Sequence, residues 1–119
     1  FDYLLHHLAP LGLAYIHIIE GATGGPRELP ERPFDYAALK AAYRRAGGKG
    51  AWMVNNSYDL PLAESAVAEG DDLVAFGRPF IANPDLVRRL REKAPLNTLD
   101  KATLYGGGAK GYTDYPALA

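Results

Sequence analysis

The chain has 119 residues, 48% of them hydrophobic, and a formal net charge of −1. That length suffices for one small domain with a core of its own. The near-balanced charge argues against binding nucleic acid or a membrane surface, which needs a clustered positive patch, and the lack of cysteine excludes disulfides, thiolate metal sites and thiol catalysis.

No apolar run approaches the roughly 18–20 residues of a membrane span, and no stretch reads as a signal peptide. A disulfide-stapled secreted fold is also excluded, though the lack of cysteine by itself says little about compartment; a cytoplasmic location is expected. The chain opens on Phe1 and not on Met, which suits a processed, cloned or partial piece of a longer polypeptide.

Phe1 to Leu11 is predicted helical, with Leu4, Leu5, Leu8 and Leu11 at helical spacing and Gly12 as its stop. Leu13 to Ile19 is a continuous apolar run, the pattern of a strand buried on both faces of a parallel sheet. Gly21 to Pro33, rich in glycine and proline, reads as a loop. Phe34 to Arg45 returns to helical spacing, with Phe34, Ala38, Leu39, Ala42 and Tyr43 on one side and Gly47-Gly48 at its end. Ala51 to Val54 is a second strand, followed by the polar turn Asn55-Asn56-Ser57. Leu60 to Glu69 is a helix closed by Gly70, and Leu73 to Phe76 is a third strand.

The stretch from Leu73 to Asn83 reads as a strand–turn–helix unit. A further helix starts at Asn83-Pro84-Asp85, with Asn83 as cap, Pro84 at the first helical position and Asp85 favouring the positive end of the dipole. Leu86, Val87 and Leu90 are its expected buried stripe. Pro95 to Ala119 is loop-rich.

Helices alternating with short strands predict an α/β fold with a parallel sheet of about three strands and crossover helices. Three strands alone leave two unpaired edges. Either further strands come from outside this chain or the domain is an unusually small one, and the first is preferred.

The sharpest site is Ala75-Phe76-Gly77-Arg78-Pro79. A strand ends, Gly77 allows close approach of its backbone N–H to an oxyanion, and Arg78 offers a planar fork for phosphate oxygens. A glycine in a tight turn beside a surface arginine is the plainer alternative. Asn55-Asn56-Ser57 also follows a strand, at the end of the sheet where parallel α/β proteins place their ligands. Its plainer reading is a turn of residues that tolerate left-handed backbone.

His17 is expected to be a hydrogen-bonded core residue. Glu20, just past the same strand, is placed to form an ion pair or shape the site. His6 and His7 are expected on the helix surface. No spacing resembles a zinc site or a hydrolytic triad. Gly106-Gly107-Gly108 lacks the strand, helix and spacing of a dinucleotide fingerprint. Tyr105, Tyr112 and Tyr115 either line a pocket or staple the tail, and the residues alone favour the staple.

Two long segments, Ala75-Phe76-Gly77-Arg78-Pro79-Phe80-Ile81-Ala82-Asn83-Pro84-Asp85-Leu86-Val87 and Leu104-Tyr105-Gly106-Gly107-Gly108-Ala109 with Gly111-Tyr112-Thr113-Asp114-Tyr115-Pro116, resemble the C-terminal signature of the old yellow enzyme family. Leu13-Ala14-Tyr15-Ile16-His17 resembles that family's sixth barrel strand. The resemblance spans the whole chain as one segment, residues 1–119. It implies the C-terminal third of a (β/α)₈ TIM barrel in an FMN-dependent ene-reductase. Such an enzyme takes hydride from NADPH or NADH and reduces an activated alkene.

On this resemblance Gly77 and Arg78 match the FMN-phosphate binders after the eighth strand. Asn55 and Asn56 match the phosphate-facing turn after the seventh, where glycine or alanine is common, so contact through backbone N–H groups is implied. Tyr105 matches the aromatic residue of the substrate pocket. The flavin-stacking strands, the carbonyl-anchoring His with His or Asn, the proton-donating tyrosine and an arginine near the flavin lie upstream. No catalytic residue is therefore assigned in this chain, and the rest of the barrel, as a second chain or a missing segment, is its implied partner.

The competing expectation is a non-catalytic phosphate-binding α/β fragment, or one piece of a split or permuted barrel, inactive alone. A dienoyl-reductase-type FMN barrel is a further alternative, and the uninterrupted Tyr105–Pro116 tail argues against it.

Overall fold

The computed structural model describes residues 1–22 and 25–119. The chain separates into two compact units, Phe1–Ala75 and Phe76–Ala119.

In the first unit, helix α1 (Asp2–Leu8) runs into a 3₁₀ turn (Ala9–Leu11) that stops at Gly12, φ +64°. Strand β1 is Tyr15–Ile19, helix α2 Tyr36–Arg45, strand β2 Ala51–Asn55, helix α3 Leu60–Ala68 and strand β3 Leu73–Ala75. Helix α2 starts two residues later than its apolar spacing predicts. Asp35 caps it, accepting from the Ala38 amide at 2.7 Å, and a cap cannot itself be helical. Asp59 caps α3 in the same way, accepting from the Leu62 amide at 3.0 Å.

The three strands form one parallel sheet in the order β1-β2-β3. Ile16 pairs with Trp52, Ile18 with Val54, and Val54 with Val74. Ile16, Trp52 and Val54 are buried, and Tyr43 of α2 is fully buried with its ring 6.0 Å from that of Trp52. Gly48 lies against Tyr43 so closely that a Cβ there would overlap the ring.

The other face differs from the two-sided burial expected of β1. Tyr15, His17 and Ile19 are exposed. Helices cover one side of the sheet, and nothing in the described residues covers the other. Within this chain His17 is exposed, and it makes no hydrogen bond among the described residues. His6 and His7 are exposed on α1, as expected.

Charged side chains tie α2 to the starts of β2 and β3. Asp72 accepts from the Trp52 amide at 2.7 Å and from Arg44 at 2.9 Å, and Lys40 pairs with Asp71 at 2.8 Å. Arg44 also donates to the carbonyls of Gly48 and Gly50.

In the second unit, a short helix α4 (Arg78–Ala82) precedes α5 (Leu86–Glu92), and a 3₁₀ turn covers Lys101–Thr103. The cap expected at Asn83 is corrected: Asp85 is the capping position, and the backbone at Asn83 is extended. Asn83 is instead 1% exposed. It donates to the Pro79 carbonyl at 2.8 Å and accepts from the Asn97 amide at 2.7 Å.

The expected stripe is also corrected. Leu86 is buried and Leu90 partly so, but Val87 is exposed, and buried Arg89 takes a place in the stripe. Arg89 bonds Asp85 at 2.7 Å and donates to the carbonyls of Pro95 and Pro116. The returning tail presents backbone carbonyls that need donors, and guanidinium supplies several in one fork.

The Leu118 amide, bonding at 2.8 Å, and the Arg89 guanidinium hold the Asp85 carboxyl below the usual carboxylate range. A depressed folded-state value stabilises the fold above the ordinary value of 3.8. That stability is lost as pH falls through the lower folded value. Asp85→Asn is therefore expected to lower the urea midpoint at pH 5, with the gap to wild type closing as pH drops below 3.8. Trp52→Ala is expected to cost about 3–5 kcal/mol in denaturant unfolding, the range for deleting a large buried aromatic.

Candidate functional site

Two turns carry the donors that the sequence singled out, and each belongs to a different unit. In the first unit the turn Asn55-Asn56-Ser57 ends β2. Asn56 has φ +119° and Ser57 φ +57°. Non-glycine residues in sparsely populated backbone regions cost of order 1–3 kcal/mol each, so the surroundings must impose this course.

Glu20, at the end of β1, supplies much of that constraint. Its amide donates to the Asn55 carbonyl at 3.0 Å. Its carbonyl accepts from Asn56 Nδ2 at 2.6 Å, and its carboxylate accepts from the Tyr58 hydroxyl at 2.6 Å. Glu20 is 8% exposed, with Arg27 at 3.7 Å and the Arg27 guanidinium over the Tyr58 ring. The ion-pair expectation for Glu20 is thereby met. Burial, together with the bond to Glu20, pushes the Tyr58 hydroxyl well above its ordinary value of 10.0.

The backbone N–H groups of Asn56 and Ser57 make no hydrogen bond among the described residues. Free N–H groups on a left-handed stretch suit an oxyanion. The Asn56 side chain, in contrast, is spent on main-chain carbonyls of Glu20, Ala22 and Gly25.

Beside this turn, the loop after β1 lines an open cavity of about 390 Å³ with Glu20, Arg27, Arg32, Phe34 and Tyr36. Tyr36 accepts from the Gly21 amide at 2.7 Å. Tyr58 and Arg27 were not singled out from the sequence. The available signal was an aromatic residue set in an otherwise polar turn.

In the second unit, Gly77 lies two residues past the end of β3 and Arg78 opens α4. Gly77 has φ −94°, so the turn does not need glycine for a left-handed backbone. A Cβ there would enter open space. The Gly77 carbonyl accepts from Phe80 and Ile81. The N–H groups of Gly77 and Arg78 make no hydrogen bond among the described residues. The Arg78 side chain is exposed and has no ion pair or hydrogen bond among them.

Tyr105 is 77% exposed with φ +61°. Its amide donates to the Tyr112 hydroxyl at 2.6 Å, and the Asp100 amide donates to the Tyr115 hydroxyl at 2.8 Å. Tyr112 and Tyr115 thus act as staples of the tail, and the Tyr105 ring stays free.

A three-stranded parallel sheet with crossover helices is the architecture of a segment of an α/β fold. Residues 6–97 match the model of the NADH:flavin oxidoreductase / NADH oxidase family. The chain belongs to that family, the old yellow enzyme family of FMN-dependent oxidoreductases.

It is 44% identical to a putative 12-oxophytodienoate reductase 10 of Oryza sativa subsp. japonica, over 91% of this chain and 35% of that protein. It superimposes on the old yellow enzyme homologue of Zymomonas mobilis with a TM-score of 0.82 and 38% identity, over 99% of this chain and 32% of that one. Against morphinone reductase in complex with tetrahydroNAD the TM-score is 0.79 at 41% identity, over 99% of this chain and 30% of the other. The chain therefore spans about a third of the relatives it matches. Those structures are TIM barrels, so the three parallel strands are a C-terminal portion of that fold, as expected.

Tyr58→Phe leaves the buried Glu20 carboxylate without its hydroxyl partner. It is expected to cost about 1–3 kcal/mol at neutral pH, read as a shift in urea midpoint. A raised folded-state value gives stability that is full below 10.0 and is lost as pH rises through the folded value. The variant should therefore lose less stability than wild type between pH 10 and pH 11.

Proposed function

We propose that this chain is the FMN-phosphate-anchoring third of an ene-reductase. The observation that carries the reading is the Gly77–Arg78 turn: two N–H groups and a guanidinium without a partner among the described residues, and open space where a side chain would stand. Those are the groups a phosphate monoester takes up, by backbone N–H bonds and a charged fork. The Asn55–Ser57 turn, taken by itself, also carries two N–H groups without a partner among the described residues, which would meet a phosphate through backbone rather than side chain.

Bound FMN would supply the hydride relay from NADPH or NADH to the β-carbon of an activated alkene. The residues of this chain orient that cofactor. The Tyr105 ring, free of internal partners, is assigned to the wall of the substrate pocket.

The open sheet face supports the remainder of a barrel as partner. Barrel strands bury side chains on both faces, and Tyr15, His17, Ile19 and Leu73 are exposed on one. The chain alone is accordingly expected to bind no flavin and to oxidise no NADPH, and to contribute to both when the upstream strands are present.

In the complete enzyme, Arg78→Ala should weaken FMN binding by about 1.5–3 kcal/mol, the value of a charge-assisted hydrogen bond. Fluorescence titration with FMN measures it. An unchanged dissociation constant would remove Arg78 from the site.

A further inference from the structure

The side chain of Asn56 is turned toward the protein, away from the role of ligand. Its Nδ2 donates to the Glu20 carbonyl at 2.6 Å and lies 3.3 Å and 3.4 Å from those of Ala22 and Gly25. All of these acceptors belong to the chain leaving β1. Glu20 meanwhile grips the turn after β2 at three successive points. Its amide bonds Asn55, its carbonyl bonds Asn56, and its carboxylate bonds Tyr58. Only Ser57 lies between the second and third grips.

The segment so held has φ +119° at Asn56 and +57° at Ser57, a region residues with a Cβ seldom occupy. It also carries the two N–H groups that make no hydrogen bond among the described residues. A glycine would reach this backbone without help. Asparagine reaches it because the Glu20 peptide holds it there.

We propose that Asn56 and Glu20 are positioning residues for the cofactor phosphate, together forming a brace that fixes the left-handed course of Asn56–Ser57 and presents its free N–H groups as a pair. The brace rests on the FMN reading above and extends it. The Asn56 side chain is assigned to the protein backbone, and phosphate recognition at this turn to main-chain N–H groups alone. The Tyr58–Glu20 bond is the second arm of the brace, and its burial keeps water from competing for the carboxylate.

The test uses the complete enzyme, with FMN and riboflavin as probes, because riboflavin lacks the phosphate. Asn56→Ala removes the brace and is expected to weaken FMN about tenfold or more, with riboflavin affinity unchanged. Asn56→Gly removes the brace but allows positive φ, so FMN affinity should return to within about threefold of wild type.

Three outcomes overturn the assignment. Asn56→Ala could bind FMN as wild type does. Asn56→Gly could be as weak as Asn56→Ala, which would make the side chain itself a ligand. Riboflavin could weaken in step with FMN, which would mark a general structural loss. If Asn56→Ala does not fold, Tyr58→Phe carries the test: FMN several-fold weaker with riboflavin unchanged supports the brace, and unchanged FMN overturns it. Arg78→Ala is titrated alongside. If it weakens FMN and the Asn56 and Tyr58 variants do not, only the brace fails. If it too leaves FMN unchanged, the cofactor reading itself fails.

Discussion

Parallel, in-register pairing is the constraint on which the first unit depends. Ile19 lies opposite Asn55, and Asn55 opposite Ala75, so all three strands end at one level. The residues that follow β1 and β2 must then share one rim of the sheet. Glu20 can reach Asn55, Asn56 and Tyr58 only because of this register. A slip of one residue would also turn Ile16 and Ile18 to the opposite face, away from the helices. The pairing that buries Trp52 and Val54 is therefore the same pairing that assembles the rim.

At the opposite rim the chemistry differs. Asp71 and Asp72 meet Lys40 and Arg44, and Asp72 also closes on the Trp52 amide. Each charge there has a protein partner. At the rim after the strands, the N–H groups of Asn56 and Ser57 have no partner among the described residues. Barrels generally separate stability and binding between their two ends in this way.

Much of this was legible in the sequence. Apolar spacing located every helix and strand of the first unit to within a few residues, because local periodicity and caps such as Asp35 and Asp59 act over short range. The Gly77–Arg78 turn was legible for the same reason: its donors are adjacent in the chain. What the sequence hid is long-range. Nothing local in Asn83-Pro84-Asp85 shows that Asn83 bonds Asn97 rather than capping a helix. Nothing near Arg89 shows that distant carbonyls will bury it. The one-sided exposure of β1 was hidden because an apolar run looks the same whether its second cover lies within the chain or elsewhere. Glu20 was noticed as a charge at a strand end, but its grip on Tyr58 spans 38 positions.

The tail of the second unit has a practical consequence. Asp85 takes the Leu118 amide, Arg88 bonds the carbonyls of Leu118 and Ala119, and both Arg89 and Asn97 bond that of Pro116. Nothing local in the sequence of Pro116–Ala119 shows it, yet the Pro116 carbonyl helps to complete the hydrogen bonding of a buried charge, Arg89. Displacing Pro116 from its place would admit water beside Arg89, so a change in this segment acts on the inside of the unit rather than on its surface.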